Sequence, residues 1–280
     1  MGEHPADGGQ AASQLVLRTQ RFIREHPPNG RPFVTLTFAQ SLDGSIASGD
    51  GKPLQLSGEP AMKLTHKLRA SHDGILVGIG TVLADNPSLT VRLCCGEDPT
   101  PIILDGGLRT PLDCKLVAQA AWKHAAFGGG THLIIVTTSR GLKHPAYRQL
   151  ACAPGVVLEL RDPGAASSQE HLSSVLRVLS GRYQIRSLMV EGGAHVIGSF
   201  MELGPDSLVV TVAPVLVGGL SAVPRSLATT RSDDGTASYP WLRDPGSFSL
   251  GRDMVVYGRA ASSAGGEGDR ECGSGQRARL

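Results

Sequence analysis

The sequence predicts an α/β protein in which a mixed, mostly parallel central sheet carries helices on both faces. Three observations predict it. Short apolar runs recur at Gly74–Ile79, Thr100–Asp105, His132–Val136 and Ile185–Val190. They are too brief for helices and apolar at successive positions, as strands buried on both faces are. Between and around them lie stretches with helical apolar spacing, Ser57–Ala70 and Ser168–Leu179, and alternation of this kind builds parallel sheets. Near the end, Ser247–Arg259 holds two successive short strand patterns, which predict an antiparallel hairpin at the sheet edge and make the sheet mixed.

In chain order, residues 1–31 read as a flexible extension. Met1–Ser13 is rich in Gly, Ala and polar residues and predicts disorder. Leu15, Leu17, Phe22 and Ile23 space out a short amphipathic helix over Gln14–Glu25, which Pro27-Pro28-Asn29-Gly30 ends. Phe33–Phe38 is β-branched and aromatic, hence a strand, and it delivers Ala39-Gln40-Ser41-Leu42-Asp43-Gly44 to the sheet edge, where Asp43-Gly44 reads as a turn. Ser57 is placed to cap the helix that follows, with Pro60 in its first turn. Met62, Leu64, Thr65 and Leu68 form its inner face and Lys63, His66 and Lys67 its outer one.

After Thr100–Asp105, Leu116–Gly130 reads as an Ala- and Gly-rich loop with helical turns. His132–Val136 and Gly155–Leu160 are strands. Ser168–Leu179 is a helix with Leu172, Val175, Leu176 and Leu179 on one face. Ser207–Val212 is another strand, 229–240 a polar loop, and the Gly-, Ser- and Arg-rich residues 260–280 a disordered tail. A single domain over 32–259 remains.

Composition narrows the function. The 280 residues carry 27 basic and 25 acidic side chains, a net charge of +2, and 4% aromatics. Neither a basic patch nor a stacking platform for nucleic acid is implied. No apolar run reaches the ~20 residues a membrane span needs, and the N-terminus lacks a signal-peptide core, which predicts a cytoplasmic protein. Five cysteines, Cys94, Cys95, Cys114, Cys152 and Cys272, include no C-x-x-C spacing. Reduced thiols, rather than a disulfide framework or a metal site, are expected.

Two strand ends concentrate polar chemistry. Gly74–Ile79 breaks at Gly80 into Thr81-Val82-Leu83-Ala84-Asp85-Asn86-Pro87, and the stretch closes on Arg92. Gly-x-Gly after a strand, followed by a hydroxyl and a carboxylate, fits either a tight turn or a ligand cradle at the carboxyl edge of a sheet. The second is Glu191-Gly192-Gly193-Ala194-His195-Val196 after Ile185–Val190, where glycines at a strand-to-helix junction let backbone N–H groups approach a diphosphate. Thr137-Thr138-Ser139-Arg140 fits either a 2′-phosphate site or a helix start with a solvated cation.

The string GIGTVLADNPSLTVR, with FVTLTFAQSLDGSI before it and MVEGGAHVI after it, resembles the reductase domain of the riboflavin-pathway reductases, a family related in fold to dihydrofolate reductase. The resemblance runs from about Phe33 to Arg259. It implies an NADPH-dependent enzyme, typically a homodimer, that reduces the ribosyl side chain of a pyrimidine ribose phosphate. On the cofactor side it implies Ala39, Gly80, Thr81 and Asp85, with the turn Gly192, Gly193, Ala194, His195 and Val196; Thr138 joins them as the cofactor candidate that the Thr137–Arg140 stretch itself offers. On the substrate side it implies Ser57, Arg69, Leu89 and Arg92, the two arginines holding the phosphate, with Glu191 orienting the pyrimidine. No proton donor is singled out. Thr37 stands where many bacterial members have lysine, and Gly106 where they often have serine; the wording of the first strand is closer to the fungal and archaeal stand-alone enzymes. The H-x-E and P-C-x-x-C patterns of the zinc deaminase fused to bacterial members are missing. That favours 2,5-diamino-6-ribosylamino-4(3H)-pyrimidinone 5′-phosphate as substrate over the deaminated uracil compound. A nucleotide-binding module without activity is the alternative from another class.

Overall fold

In the computed structural model, residues 8–27, 29–161, 167–223, 230–231, 237–238 and 241–260 are described. In chain order the elements are α1 (Gly8–Glu25), β1 (Phe33–Ser41), β2 (Ser45–Ala47), α2 (Glu59–Arg69), β3 (Gly74–Gly78), α3 (Ile79–Asp85), β4 (Thr100–Leu104), α4 (Lys115–Phe127), β5 (Leu133–Thr137), α5 (Tyr147–Ala151), β6 (Val156–Leu160), α6 (Ser168–Tyr183), β7 (Ser187–Val190), α7 (Ala194–Leu203), β8 (Ser207–Ala213), β9 (Leu220–Ser221), β10 (Thr230–Arg231), β11 (Ala237–Ser238), β12 (Leu242–Leu250) and β13 (Asp253–Ala260). Nine strands form one sheet in the order β12-β13-β8-β1-β7-β3-β4-β5-β6. It is parallel from β8 to β6, and the β12–β13 hairpin adds antiparallel to β8.

Side chains alternate between the two faces as strand geometry requires. Leu36, Leu76, Ile102 and Ile134 pack with Leu172, Val175, Leu176 and Leu179 of α6 and Ile197 and Phe200 of α7. Ile75, Val77, Ile103 and Ile135 face the opposite way, toward Val82 of α3 and Leu116, Val117 and Ala120 of α4. On that second face, α1 and α2 cover the other half of the sheet, against Met189, Val209 and Val255.

The order of the strands creates the crevice. The chain builds outward from β3 to β6, then returns through α6 and inserts β7 between β1 and β3, pairing Leu36 and Leu76 with the same residue, Val190. The connection leaving β3 goes through α3 on one face, and the one leaving β7 goes through α7 on the other. Neighbouring strands whose exits diverge leave a gap at their carboxyl ends, which is where open α/β sheets hold ligands.

Several local readings are corrected. Helix α1 begins at Gly8, not Gln14, because its buried stripe is Ala12, Leu15, Val16 and Thr19, while Leu17 is exposed. Leu116–Gly130 is helix α4, closed by Gly128 at φ 77°; its alanines favour the helix and only the glycines after it stop it. Residues 79–85 form α3 rather than an irregular break. The cap of α2 is Gly58, not Ser57: the Gly58 N–H donates to Asp253 Oδ2 at 2.7 Å, and no side chain caps the helix. His66, expected outward, is fully buried against the Arg92 backbone, whose N–H donates to its Nδ1. The polar loop over 229–240 falls mostly outside the described residues, as do residues 1–7 and the tail 261–280.

Candidate functional site

A cavity of about 740 Å³ opens over the carboxyl ends of β1, β7, β3 and β4. Both glycine-containing strand ends line it: Val77–Thr81 from β3 and α3, and Glu191–Val196 from β7 and α7. Between them the packing leaves no room for side chains. A Cβ on Gly78 would lie 2.8 Å from Val196 Cγ2, and one on Gly192 would lie 2.4 Å from Val196 Cβ. The first turn of α7 has Gly193 as its cap and no side-chain capping bond, and the Val196 N–H donates to the Gly193 carbonyl, which leaves the Ala194 and His195 N–H groups without a capping side chain at the positive end of the helix dipole. Thr81 and Asp85, four apart on α3, line the same space, and burial raises the Asp85 carboxyl above its ordinary range. These features fit a cofactor diphosphate: a backbone cradle without side chains, at a helix start, beside a hydroxyl and a carboxyl group.

On the α2 side, Arg69 and Glu191 form a two-point ion pair. Nε and Nη2 donate to the two carboxylate oxygens, each at 2.7 Å, and Nη1 donates to the Thr90 carbonyl at 3.1 Å. Both side chains are largely buried, 11% and 19% exposed. Burial would depress the Arg69 guanidinium, but the bonds and charge of Glu191 outweigh it and raise the group above its ordinary value. Three of the five N–H donors of Arg69 are therefore committed within the protein. His66 lies close by, its imidazole lowered by burial first and then by the charges of Arg69 and Arg92.

The roof of the cavity is held by Asp43. Its carboxylate accepts from the hydroxyls of Ser41 and Ser45 and from the N–H groups of Val217 and Gly218. The Ser41 hydroxyl and those two N–H groups hold the carboxyl well below the usual carboxylate range. The Gly219 N–H donates to Ser45 Oγ, and β2 pairs with β9 through Ala47 and Leu220, both of which line the cavity.

Of the residues expected from the sequence, Ala39, Gly80, Thr81, Asp85, Gly192, Gly193, Ala194, His195 and Val196 line this cavity, and so do Ser57, Arg69, Leu89 and Glu191. Two do not. The Thr138 hydroxyl donates to the Gly106 carbonyl at 2.6 Å and stays outside the lining. Arg92 is exposed and outside the lining, its Nη1 bonded to Thr90 Oγ1 at 3.0 Å and without an ion-pair partner among the described residues. Sequence reasoning passed over three features: Arg109 in the lining, the bond network behind the Asp43 turn, and buried His66. Only Asp43 gave a signal, a carboxylate flanked by Ser41 and Ser45.

Among the described residues, no group of three or more His, Cys, Asp and Glu side chains is placed to hold a metal ion, and the four cysteines there are free thiols. No described helix is long and apolar enough to cross a membrane.

The family model of the RibD C-terminal domain matches residues 32–256. The 2,5-diamino-6-ribosylamino-4(3H)-pyrimidinone 5′-phosphate reductase of Candida glabrata is 34% identical over 213 residues, 70% of this chain and 82% of that protein. The riboflavin biosynthesis protein RibD of Actinobacillus pleuropneumoniae is 36% identical over 194 residues, 69% of this chain, which spans only 48% of that longer protein. The solved structure of the Saccharomyces cerevisiae riboflavin biosynthesis reductase Rib7 matches with a TM-score of 0.66 and 27% identity, covering 89% of this chain and 98% of that one.

Proposed function

The chain belongs to the RibD C-terminal domain family, and from that premise we propose that it is an NADPH-dependent reductase acting on 2,5-diamino-6-ribosylamino-4(3H)-pyrimidinone 5′-phosphate, converting the ribosyl side chain to ribityl. The observation that carries the reading is the shared crevice: both strand-end turns, 110 residues or more apart in sequence, line one cavity with Arg69 and Glu191. The substrate also fits the naming of the Candida glabrata relative, of which the chain covers 82%.

When bound, the nicotinamide supplies the hydride that reduces C1′ of the ring-opened substrate imine, and a solvent-derived proton completes the amine. The protein binds, orients and excludes water. Ala39, near the end of β1, lines the cavity with a single methyl group against which the flat ring lies. The Gly192-Gly193 turn and the start of α7 receive the diphosphate through backbone N–H groups, and Thr81 and Asp85 take ribose hydroxyls. Glu191, fixed by Arg69, presents acceptor oxygens to the pyrimidine amino groups. Ser57 and Leu89 bound the pyrimidine. Arg69 acts through Glu191 with two N–H donors to spare, and Arg92, without a carboxylate partner among the described residues, holds the 5′-phosphate with charge-assisted bonds. Thr138 braces the Gly106 carbonyl at the cofactor end. Assembly as a homodimer is part of the proposal, and sedimentation velocity tests it.

The deciding experiment follows NADPH absorbance at 340 nm with each of two pyrimidines, the diaminopyrimidinone and the deaminated uracil compound. Oxidation with the first is expected. Oxidation with the uracil compound alone overturns the substrate, and NADPH binding without oxidation by either compound overturns the activity.

A further inference from the structure

We propose that Arg109 binds the 2′-phosphate of the cofactor and sets a preference for NADPH over NADH; this rests on the reductase reading above. The cavity is lined from Ala39 on β1, through the ends of β7 and β3, to Leu104 and Arg109 beyond β4. Three strand spacings separate β1 from β4, ~14 Å, with the uncapped start of α7 between them. A nicotinamide at Ala39 and a diphosphate at Gly192-Gly193 therefore leave the adenosine end of the cofactor at β4.

The two arginines that line the cavity differ in their freedom. Arg69 is occupied by Glu191 and Thr90. Arg109 makes no hydrogen bond or ion pair among the described residues and is exposed at the cavity wall. Its backbone, by contrast, is fixed. Asp105 Oδ2 accepts from both the N–H and the hydroxyl of Thr110, at 2.7 and 2.8 Å, and the Leu108 N–H donates to the Asp105 carbonyl. Leu108 is fully buried in the left-handed conformation, φ 54°, and Thr110 is also buried. Arg109 is thus a free cation on a turn anchored at both sides, with its ordering cost reduced in advance.

The acid at this strand end explains the direction of the preference. A carboxylate facing the adenosine ribose accepts its 2′-hydroxyl and repels a phosphate there. Asp105 directly follows β4, but it is fully buried with Oδ2 turned back onto Thr110, so it does not reach out to accept the ribose 2′-hydroxyl. The alternative in the sequence, Thr138 with Arg140, does not line the cavity.

The test uses 2′,5′-ADP as a probe of the adenosine half, by calorimetry on the full chain, alongside the affinities for NADPH and NADH. Arg109→Ala should weaken 2′,5′-ADP and NADPH about tenfold to a hundredfold, the range for a lost charge-assisted bond, and leave NADH within about twofold. Arg109→Lys should recover part of the loss. Equal weakening of NADPH and NADH, or loss of 2′,5′-ADP binding with Arg140→Ala instead of Arg109→Ala, overturns the proposal. Because 2′,5′-ADP binding is read without turnover, an enzyme that binds the probe through Arg109 but reduces neither pyrimidine would sink the reductase reading alone.

Discussion

Replacing Arg69 by alanine tests the central ion pair. The guanidinium contributes two bonds of 2.7 Å to Glu191 and one to the Thr90 carbonyl. Its removal leaves a carboxylate with only 19% of its side chain exposed, facing Arg69's empty place rather than bulk water. Breaking a buried pair from one side costs about 3–5 kcal/mol, and the residual exposure of Glu191 argues for the lower end, about 3 kcal/mol. That is a factor of more than a hundred in the folding equilibrium. Urea unfolding of wild type, Arg69→Ala, Glu191→Ala and the double variant gives a cycle, and the coupling between the two sites should exceed about 1.5 kcal/mol. A loss below about 1 kcal/mol for Arg69→Ala would mean that the pair behaves as a screened surface contact, and Glu191 could not then be regarded as held in place. Arg69→Lys discriminates further: it keeps the charge but loses the planar fork, so substrate KM should rise although much of the stability returns.

Three further outcomes follow from the packing. His72 is fully buried in the protein interior, its Nδ1–H donating to the Leu68 carbonyl and its Nε2 accepting from the Thr35 hydroxyl, and burial lowers it to about 4. The unfolded chain, with an ordinary histidine near 6.5, takes up the proton first. Stability is therefore complete above pH 6.5 and falls with decreasing pH, by about 3 kcal/mol at pH 4 from this group. His72→Gln should flatten unfolding midpoints measured from pH 7.5 to 4.5, and an unchanged slope would refute the assignment. Asp43→Asn keeps one acceptor oxygen of two, so the Val217 and Gly218 amides should exchange with deuterium faster and pyrimidine KM should rise; unchanged exchange would show that the loop is held otherwise. Gly78→Ala places a Cβ 2.8 Å from Val196 Cγ2 at a backbone conformation, φ −84°, that alanine tolerates. Its cost of about 1–3 kcal/mol should fall to near zero in a Val196→Ala background, measured by urea midpoints. An equal cost in both backgrounds would point to the backbone instead.

What the sequence made legible, and what it hid, divides by distance along the chain. The strands of the parallel sheet are buried on both faces, so each reads as a continuous apolar run, and β3, β4, β5 and β7 fall within two residues of their expected bounds. The starts of helices depend on weaker signals. Ala12 belongs to the core stripe of α1 although alanine carries little hydrophobic weight, and the cap residue of α2, Gly58, is held by Asp253, 195 residues away. At the site, the same division holds. The two turns announce themselves because glycine, hydroxyl and carboxylate fall in short strings. The pairing of Arg69 with Glu191 spans 122 residues, and that of Asp43 with Val217 spans 174. Arg69 and Glu191, which sequence reasoning assigns one by one to a ligand, are thus bonded first to each other, whereas Arg92 and Arg109 have no ion-pair partner among the described residues. The insertion of β7 between β1 and β3 explains why: Glu191 follows Val190, which pairs with Leu36 and Leu76 at once. The strand inserted between β1 and β3 also brings the carboxylate to Arg69, so the pairing that joins the two halves of the sheet is the one that assembles this side of the crevice.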